Sequence, residues 1–248
     1  MSTIIATPQP ATATIALTVT ATTPVTRVLR SDTMGTRPVR AQTGTWPITG
    51  TTVLIDHEPA VTGPVSYTVD DGGAGASTTT TLGLTEAWLT VPVTPARSRR
   101  LDLVTGLDSV QESANVIHEV IDRIDALVTL GPLRLRAGRM TLWTATAGEA
   151  RAVAALYGLG EVVHLRQPIP SLDMYHVADS VRVAPQRQET RPRRWQVEVL
   201  YREVDWPRGD GRGTLGYSYD DVLADHTSYA ALALTVPDYV ALALGPTP

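Results

Sequence analysis

The densest group of side chains that could carry out chemistry is the run Asp56-His57-Glu58. Carboxylates and imidazoles are ligands that zinc accepts, and the histidines that could complete such a site are His118, His164 and His176. The run extends a segment typical of a strand, and alternate residues of a strand face opposite ways. Asp56 and Glu58 therefore share a face that His57 does not, and no His-x-x-x-His spacing adds a ligand pair. The pattern favours a hydrogen-bonded role at the end of a strand over a metal site.

Other reaction classes find little support in the sequence. The chain has no cysteine, so thiol chemistry, disulfides and cysteine metal clusters are excluded. No Gly-x-Ser-x-Gly turn is present, which argues against a serine hydrolase. Spacing alone leaves open a pair of catalytic carboxylates of the kind that glycosidases use, although Asp220-Asp221 is more simply a solvated helix start. We expect no enzymatic activity, no cofactor and no metal.

Charge and hydrophobicity argue against nucleic-acid and membrane partners. The 21 basic residues are all arginines and are outnumbered by 25 acidic residues, for a formal net charge of −4. Such a chain does not favour a polyanionic partner. No apolar run reaches the roughly 20 residues that span a bilayer, and the N-terminus lacks a secretion signal. We therefore expect a soluble protein made in the cytoplasm.

The best-specified part of the chain, residues 133–166, predicts a strand, a helix and a second strand. Apolar residues alternate with arginines from Leu133 and change parity at Gly138, which predicts a bulge or kink there. Thr146 precedes Glu149 by three residues, the spacing of a capping box, so a helix is expected to begin there. Its buried face is expected to hold Ala150, Val153, Ala154 and Tyr157, and its left-handed stop to be Gly158 or Gly160.

The second strand is predicted at residues 163–166, where Val163 and Leu165 alternate with polar residues before Pro168. The order strand, helix, strand also fits one unit of a nucleotide-binding fold, and that alternative stays open at this point. The turn before the helix lacks the glycine spacing that lets a backbone approach a pyrophosphate, however, and no second such unit follows. We favour one helix packed on a mostly antiparallel barrel.

Residues 1–94 are rich in threonine and valine, are punctuated by proline and glycine, and show no helical periodicity. This pattern is typical of short strands joined by turns and predicts an N-terminal β-sandwich domain. The predicted strands are residues 15–20, 24–30, 52–56, 65–69 and 79–82. A stretch rich in proline and arginine begins at Pro95, so the domain boundary is placed between residues 94 and 95.

A second domain is predicted over residues 95–207 as a split β-barrel with one packed helix. Residues 115–128 combine helical spacing with crowded β-branched side chains, and a strand is favoured over a helix. Two later strands are predicted from alternation, each with one buried face. Their apolar residues are Tyr175, Val177, Val181 and Val183 in the first and Trp195, Val197, Val199 and Tyr201 in the second. The predicted fold class is mainly β with an α+β element.

The C-terminal residues 208–248 contain a repeat with a period of ten. A tyrosine recurs in each unit with a branched apolar residue three places later, and the serine or aspartate before each tyrosine suits helix capping. Ten residues cannot bury an apolar face alone, so this C-terminal segment is expected to form short helices that dock on their own domain or on a neighbouring subunit. The candidate inter-subunit contact residues are Tyr219, Val222, Tyr229, Leu232, Tyr239 and Leu242.

Six groups of residues occur in a characteristic order along the chain. They are residues 24–32 (PVTRVLRSD), 53–59 (VLIDHEP) with 65–69 (VSYTV), 87–92 (AWLTVP), 138–165 (beginning GRMTLWTAT), 195–207 (WQVEVLYREVDWP), and 219–225 (YDDVLAD) with 228–232 (SYAAL). In this order the chain resembles the minor tail proteins of siphophages that infect actinobacteria, of the distal-tail or tail-tip type. The absence of lysine and phenylalanine, typical of GC-rich coding, agrees with an actinobacterial host.

The resemblance implies a virion structural protein at the tail tip, with a barrel-plus-helix domain similar to those of tail-tube and distal-tail proteins. It implies a homo-oligomeric ring, six-fold or otherwise three-fold, that contacts the tail tube, the tape measure and the hub, with no nucleic-acid or membrane partner. A carbohydrate- or receptor-binding tail module is the alternative, which an N-terminal sandwich with an exposed loop at residues 70–75 would suit.

Overall fold

The computed structural model describes residues 2–40, 47–73, 75–92, 94–118, 125–186 and 194–207. Over these residues the protein is mainly β, with 16 strands and one α-helix, and every strand pairing is antiparallel. The mainly β fold class predicted from the sequence is thus confirmed. Within the described ranges no helix has the length and apolar character needed to cross a membrane.

The elements follow one another in this order along the chain. They are β1 (Thr3–Gln9), β2 (Thr14–Val25), β3 (Arg27–Asp32), β4 (Gly35–Pro38), β5 (Ile48–Asp56), β6 (Pro64–Asp70), β7 (Ser77–Thr81), β8 (Ala87–Thr90), β9 (Arg99–Leu101), β10 (Leu103–Val110), β11 (Val116–His118), β12 (Leu127–Thr129), β13 (Ala137–Thr144), α1 (Ala147–Tyr157), β14 (Val163–Arg166), β15 (Met174–Gln186) and β16 (Arg194–Val204).

Two antiparallel sheets form the N-terminal part of the fold. One has the strand order β1-β2-β5 and the other β4-β3-β6-β7. Inward-facing residues of both sheets, such as Leu17 and Val65, belong to one hydrophobic core. The strands predicted here are present, with residues 24–30 divided between β2 and β3. Strand β1 was not predicted, because the adjacent Ile4 and Ile5 interrupt the alternation of apolar and polar residues.

Seven strands form the largest sheet, in the order β10-β13-β16-β15-β14-β8-β9. Its edge strands, β9 and β10, are consecutive in the chain and separated only by Asp102, so the two edges approach each other at that residue. The amide of Asp102 donates to the carbonyl of Trp143 on β13 at 3.3 Å, but β9 and β10 do not pair with each other. The described strands therefore form no closed barrel.

Strand β8 takes part in both cores. Ala87 and Leu89 lie in the core of the seven-stranded sheet, whereas Trp88 faces the opposite way and lies in the N-terminal core. The predicted boundary between residues 94 and 95 thus falls after the first strand of the seven-stranded sheet. The division into domains stays a prediction.

Helix α1 covers one face of the seven-stranded sheet. Thr146 Oγ1 accepts from the Glu149 amide at 3.2 Å, and the Glu149 carboxylate accepts from the Thr146 amide at 3.1 Å, so the predicted capping box is confirmed. Gly160, with φ +69°, is in the left-handed conformation, whereas Gly158 is not. Ala154, predicted on the buried face, is half-buried. The buried residues are Ala150, Val153, Leu156 and Tyr157.

The predicted irregularity at Gly138 is a close approach between two strands. A β-carbon at this position would lie 1.9 Å from the carbonyl oxygen of Asp108 on β10, so only glycine fits. The extra residue of the bulge belongs to β10, where the register shifts between Thr105 and Asp108 and Gly106 has φ +58°. The change in apolar alternation at Gly138 therefore marks the position on β13 that lies against the bulge of β10.

Strand β15 corrects one prediction. The sequence pattern places Tyr175 and Val181 on the same face, but the pairing with β16 shifts register between Ala178 and Ser180. The extra residue, Asp179, reverses the facing of the residues beyond it. Val181 and Val183 pack on the core of the seven-stranded sheet. The face predicted for β16 is confirmed, since the core also holds Val197, Val199 and Tyr201.

Leu142→Ala tests the packing of the helix on the sheet. The residues predicted to share a core do so, and they are Met140, Leu142, Val153, Leu156, Tyr157, Val163 and Leu165. Because the fully buried Leu142 would leave a cavity, we expect the free energy of unfolding to fall by about 2–5 kcal/mol. Leu200→Ala on neighbouring β16, where the side chain is 41% exposed, is the control and should cost less. Equal losses in urea unfolding would contradict this core.

Candidate functional site

A buried network of charged and polar side chains surrounds the end of β5. Asp56 accepts two hydrogen bonds from Arg30 Nη1, at 2.9 and 3.1 Å, and one from the Tyr67 hydroxyl at 2.9 Å. Its Oδ1 also accepts from the amide of Glu58 at 3.0 Å. Arg30 Nε lies 3.0 Å from Asp32 Oδ2, and both side chains are buried. The hydrogen-bonded role predicted for Asp56 at the end of a strand is therefore confirmed.

Glu58 links the N-terminal sheets to the seven-stranded sheet. Its buried carboxylate accepts from Arg40 Nε at 2.8 Å and from the hydroxyl of Tyr175 on β15 at 2.9 Å. The Arg40 guanidinium also lies over the indole of Trp206, 4.6 Å from the ring centroid, and donates to the carbonyl of Pro207. The chain that follows β16 is thus held against the N-terminal part of the fold.

Arg166 makes the same link from β14. Its buried guanidinium donates from Nε to the carbonyl of Pro59 at 3.0 Å, and from Nη1 to the carbonyls of Ala13 at 2.8 Å and His57 at 3.0 Å. These acceptors belong to the N-terminal part, more than 100 residues away in the chain. One arginine of the seven-stranded sheet therefore satisfies three carbonyls that the N-terminal sheets leave unpaired.

The charges of this network have no access to solvent. Burial lowers the pKa of Arg30, but the nearby acids, Asp56 foremost, raise it well above its usual value. Burial lowers the pKa of Arg166 to about 10, which still leaves the guanidinium charged at neutral pH. In the ranges the structure describes, no group of three or more His, Asp or Glu side chains is arranged to hold a metal ion. The geometry supports a structural role for the network.

The three histidines weighed as metal ligands do not face one common site. His164 on β14 is buried, stacks on Tyr175 with 4.0 Å between ring centroids, and has no hydrogen bond at either ring nitrogen. Burial and nearby arginines hold its pKa well below the usual value, so the ring is neutral. His176 faces the other side of the sheet, 2.9 Å from the Tyr157 hydroxyl, and burial lowers its pKa to about 4. His118 lies exposed on β11.

The turn between β14 and β15 contains an acid that titrates near neutral pH. Arg136 clamps this turn by pairing with Glu203 at 2.7 Å and donating to the carbonyls of Ser171 and Asp173, both at 3.1 Å. The Asp173 carboxylate accepts from the amide of Gln167 across the turn. Burial raises the pKa of Asp173 to about 7, against the opposing effects of that hydrogen bond and of nearby arginines.

A two-stranded arm, described over residues 110–118 and 125–136, lies between β10 and β13 in the chain. β11 and β12 pair within it, so the strand favoured over a helix in residues 115–128 is confirmed at both ends, while residues 119–124 lie outside the described residues. The amide of Arg134 donates to the carbonyl of Glu112 at 2.8 Å, nearer the base of the arm. The strand predicted from residue 133 begins only at Ala137, because residues 133–136 belong to the arm.

The arm carries apolar side chains in contact with solvent. Their exposed fractions run from 49% to 81%. They are Val110, Val116, Ile117, Val128, Leu130, Leu133 and Leu135. Seven large apolar side chains on one protruding element are more than scattered surface residues explain.

A cleft of about 420 Å³ lies between the N-terminal part and the seven-stranded sheet. Its apolar lining includes Leu84 and Trp88, which are nearly buried, together with Pro10 and Ala11 before β2. Glu86 and Arg100 also line it, and their side chains form no hydrogen bond or ion pair with another described side chain.

The six contact residues predicted in the C-terminal repeat, from Tyr219 to Leu242, lie outside the described residues, and that prediction stays open. Sequence reasoning missed Arg30, Arg166 and the exposed arm. A signal for Arg30 was present, since it stands two places after Val28 and therefore on the same face as that core residue.

The fold and these surfaces define a mainly β protein in which two parts are joined by a buried ionic network and an apolar arm extends into solvent. No known protein family has a model that matches the chain, and no curated protein matches it. Its function is therefore inferred from the surfaces described above.

Asp56→Asn tests the buried network. The substitution keeps the shape of the side chain but leaves Arg30 buried without its main counter-charge, so we expect the free energy of unfolding to fall by about 3–5 kcal/mol. Asp70→Asn is the matched control, because the pair Arg27–Asp70, at 2.8 Å, is solvent-exposed and its loss should cost less than about 1 kcal/mol. Similar urea midpoints for the two variants would show that the buried network is not needed for stability.

Asp173→Asn tests the raised pKa in the β14–β15 turn. The unfolded carboxyl titrates near 3.9 and the folded one near 7, so the folded state binds the proton more tightly. The stability that this proton provides is present below about pH 4 and is lost as the pH rises to about 7, on the order of 4 kcal/mol at most. We expect the variant to lack this loss and to be the more stable protein above pH 7. Parallel pH profiles of unfolding would rule the shift out.

Proposed function

We propose that the protein is a structural subunit of a phage tail tip or baseplate, forming a ring that joins the tail tube to the tip complex. The observation that carries this proposal is the arm, described over residues 110–118 and 125–136, whose exposed apolar side chains need a protein partner. The order of sequence segments that resembles siphophage minor tail proteins supports this kind of assembly.

The arm is too apolar for a protein that functions as a monomer. Its seven apolar side chains are each exposed by 49% to 81%, and a standard interface buries roughly 800 Å² on each partner. Monomers rarely expose a contiguous apolar patch of more than a few hundred Å². Burying a side chain of this class contributes about 1.5–3 kcal/mol, less the cost of ordering it. The arm is therefore expected to be covered in the functional state.

A ring of identical subunits accounts for this covering. A tail encloses a central channel, so its subunits are related by rotation, and the resemblance favours six copies or otherwise three. The remaining partners in the proposal are the tail tube, the tape measure and the hub, and the location is the virion tail tip. A formal net charge of −4 agrees with protein partners rather than nucleic acid.

The finer features of the fold suit the same proposal. We interpret the two N-terminal sheets with their shared core as a β-sandwich, and the seven-stranded sheet with edges meeting at Asp102 as a split β-barrel packed on α1. The barrel with one helix is the part of this arrangement that the resemblance implies. The buried network would hold the two parts in one fixed orientation, which a ring subunit needs in order to keep its neighbours in register.

A carbohydrate- or receptor-binding tail module is the second candidate. The observation that favours it is the cleft lined by Trp88, Glu86 and Arg100, where two charged side chains stand beside an apolar surface. The cleft offers less apolar surface to a partner than the arm does, so the structural function is preferred.

Deletion of the gene from the phage that encodes the protein separates the two candidates. For a ring subunit we expect electron microscopy to show heads without complete tails, because the tube lacks its junction with the tip. For a receptor-binding module we expect complete particles that fail to adsorb. The control is restoration of infectious particles by the full-length chain supplied in trans. Complete and infectious virions that lack the protein would contradict both candidates.

A further inference from the structure

We infer that two copies of the free protein join through the open edge of β5, with the two β5 strands antiparallel about a two-fold axis. This contact goes beyond the proposed ring, because it closes with two copies and does not depend on the tail function.

Strand β5 has a partner on one side only. It pairs with β2, from Asp56 opposite Ile15 to Ile48 opposite Val25, and no other described strand pairs with it. Its exposed residues include Val53, and no described element lies along the open side. The N–H and C=O groups of such an edge lack partners within the sheet, and an unpaired row of this kind is a template for another strand.

The other edges of the three larger sheets carry features that hinder strand addition. β4 has four residues, which include Arg37 and Pro38, and β9 has three, of which two are arginines. β10 is interrupted by a bulge between Thr105 and Asp108. The two remaining edge strands, β1 and β7, lie beside each other. Short strands, proline, charge, bulges and coverage are the means by which natural proteins protect sheet edges.

Strand β5 lacks these protections over residues 51–55. The stretch contains no proline and no charged residue, and its pairing with β2 is regular. Gly50, with φ +74°, departs from the extended conformation at one end. At the other end, the carboxylate of Asp56 is held in the buried network. The open stretch is therefore residues 51–55, roughly 17 Å long.

A second copy of the same stretch fits this edge. Residues 51–55 are centred on Val53, so antiparallel pairing matches the most residues when Val53 lies opposite Val53 of the second copy. Thr51 then lies opposite Ile55, and Thr52 lies opposite Leu54. Like charges directly opposite each other destabilise paired strands, and this register brings no charges together.

The outer face of the sheet favours the same contact. Ile5, Thr18 and Val53 form one row across β1, β2 and β5, and Ile5 and Val53 are 61% and 53% exposed. In the dimer, the two Val53 side chains lie about 5 Å apart and cover part of each other's apolar surface. The contact is much smaller than a standard interface. We therefore expect a weak dimer whose fraction rises with protein concentration.

Crosslinking tests which edges meet. The chain has no cysteine, so single cysteines react without background. Full-length Val53→Cys should give a covalent dimer with a short bis-maleimide, because the two positions face each other. Ile5→Cys is the matched control, since it is comparably exposed on the same face, but its two copies would lie roughly 24 Å apart. No dimer of Val53→Cys, or equal yields from the two variants, would overturn the inference.

A charge at the same position tests the contact without crosslinks. Val53→Lys places two lysines opposite each other, so the dissociation constant from sedimentation should rise at least about tenfold. Ile5→Lys is the control and should leave this constant unchanged. Urea midpoints close to that of the unaltered protein check that both variants are folded. Unchanged association of Val53→Lys, or equal weakening by both variants, would show that the copies do not meet through β5.

Hydrogen exchange reports the backbone pairing itself. Amides of residues 51–55 that point away from β2 should exchange more slowly as the concentration of the full-length protein rises, because dimerisation gives them acceptors. The same segment in Val53→Lys should show little dependence on concentration. Exchange of the unaltered protein that is independent of concentration, under conditions where sedimentation detects a dimer, would place the contact elsewhere.

Discussion

The paired burial of charges at the end of β5 is the constraint on which the rest of the structure depends. Arg30, Asp56 and Arg166 come from three different strands and Glu58 follows β5, and each loses its hydration, at a cost of several kcal/mol per ion. That cost is offset only when every partner lies within hydrogen-bonding distance. A shift of the N-terminal sheets against the seven-stranded sheet would break the hydrogen bond between Glu58 and Tyr175 and those of Arg166 to three carbonyls, so that buried charges would lose their hydrogen bonds. The network therefore helps to fix the relative position of the two parts.

Beside its two apolar cores, the protein buries several charged side chains and leaves several large apolar side chains in solvent. Several of the charged side chains of the N-terminal part are used in the network, and the outer face of β1-β2-β5 is left with threonine, isoleucine, valine and alanine. The arm adds leucine, isoleucine and valine in solvent. In the proposed assembly, the inner charges would give rigidity and the outer apolar groups would give contacts.

Bulges decide how the seven-stranded sheet bends around its core. The extra residues near Gly106 on β10 and at Asp179 on β15 lie on strands that flank the central pair β13 and β16. Each bulge bends its strand and increases the local twist. The edges of the sheet approach each other at Asp102 without pairing, and α1 packs on the core face of the sheet.

The sequence alone determined the elements whose signals are local. The capping box of Thr146 and Glu149, the alternation in β16 and the glycine at position 138 depend on residues a few places apart, and their roles follow from backbone sterics and hydrogen bonding. Only the tertiary structure decided that His164 and Arg166 are buried, because a strand hides both faces only when a second layer packs on it. It also decided that Val181 faces the core, because the bulge at Asp179 arises only from the pairing of β15 with β16. The exposure of Ile117 and Leu130 was likewise beyond the sequence, because an apolar β-branched run in an arm has the same pattern as one in a core.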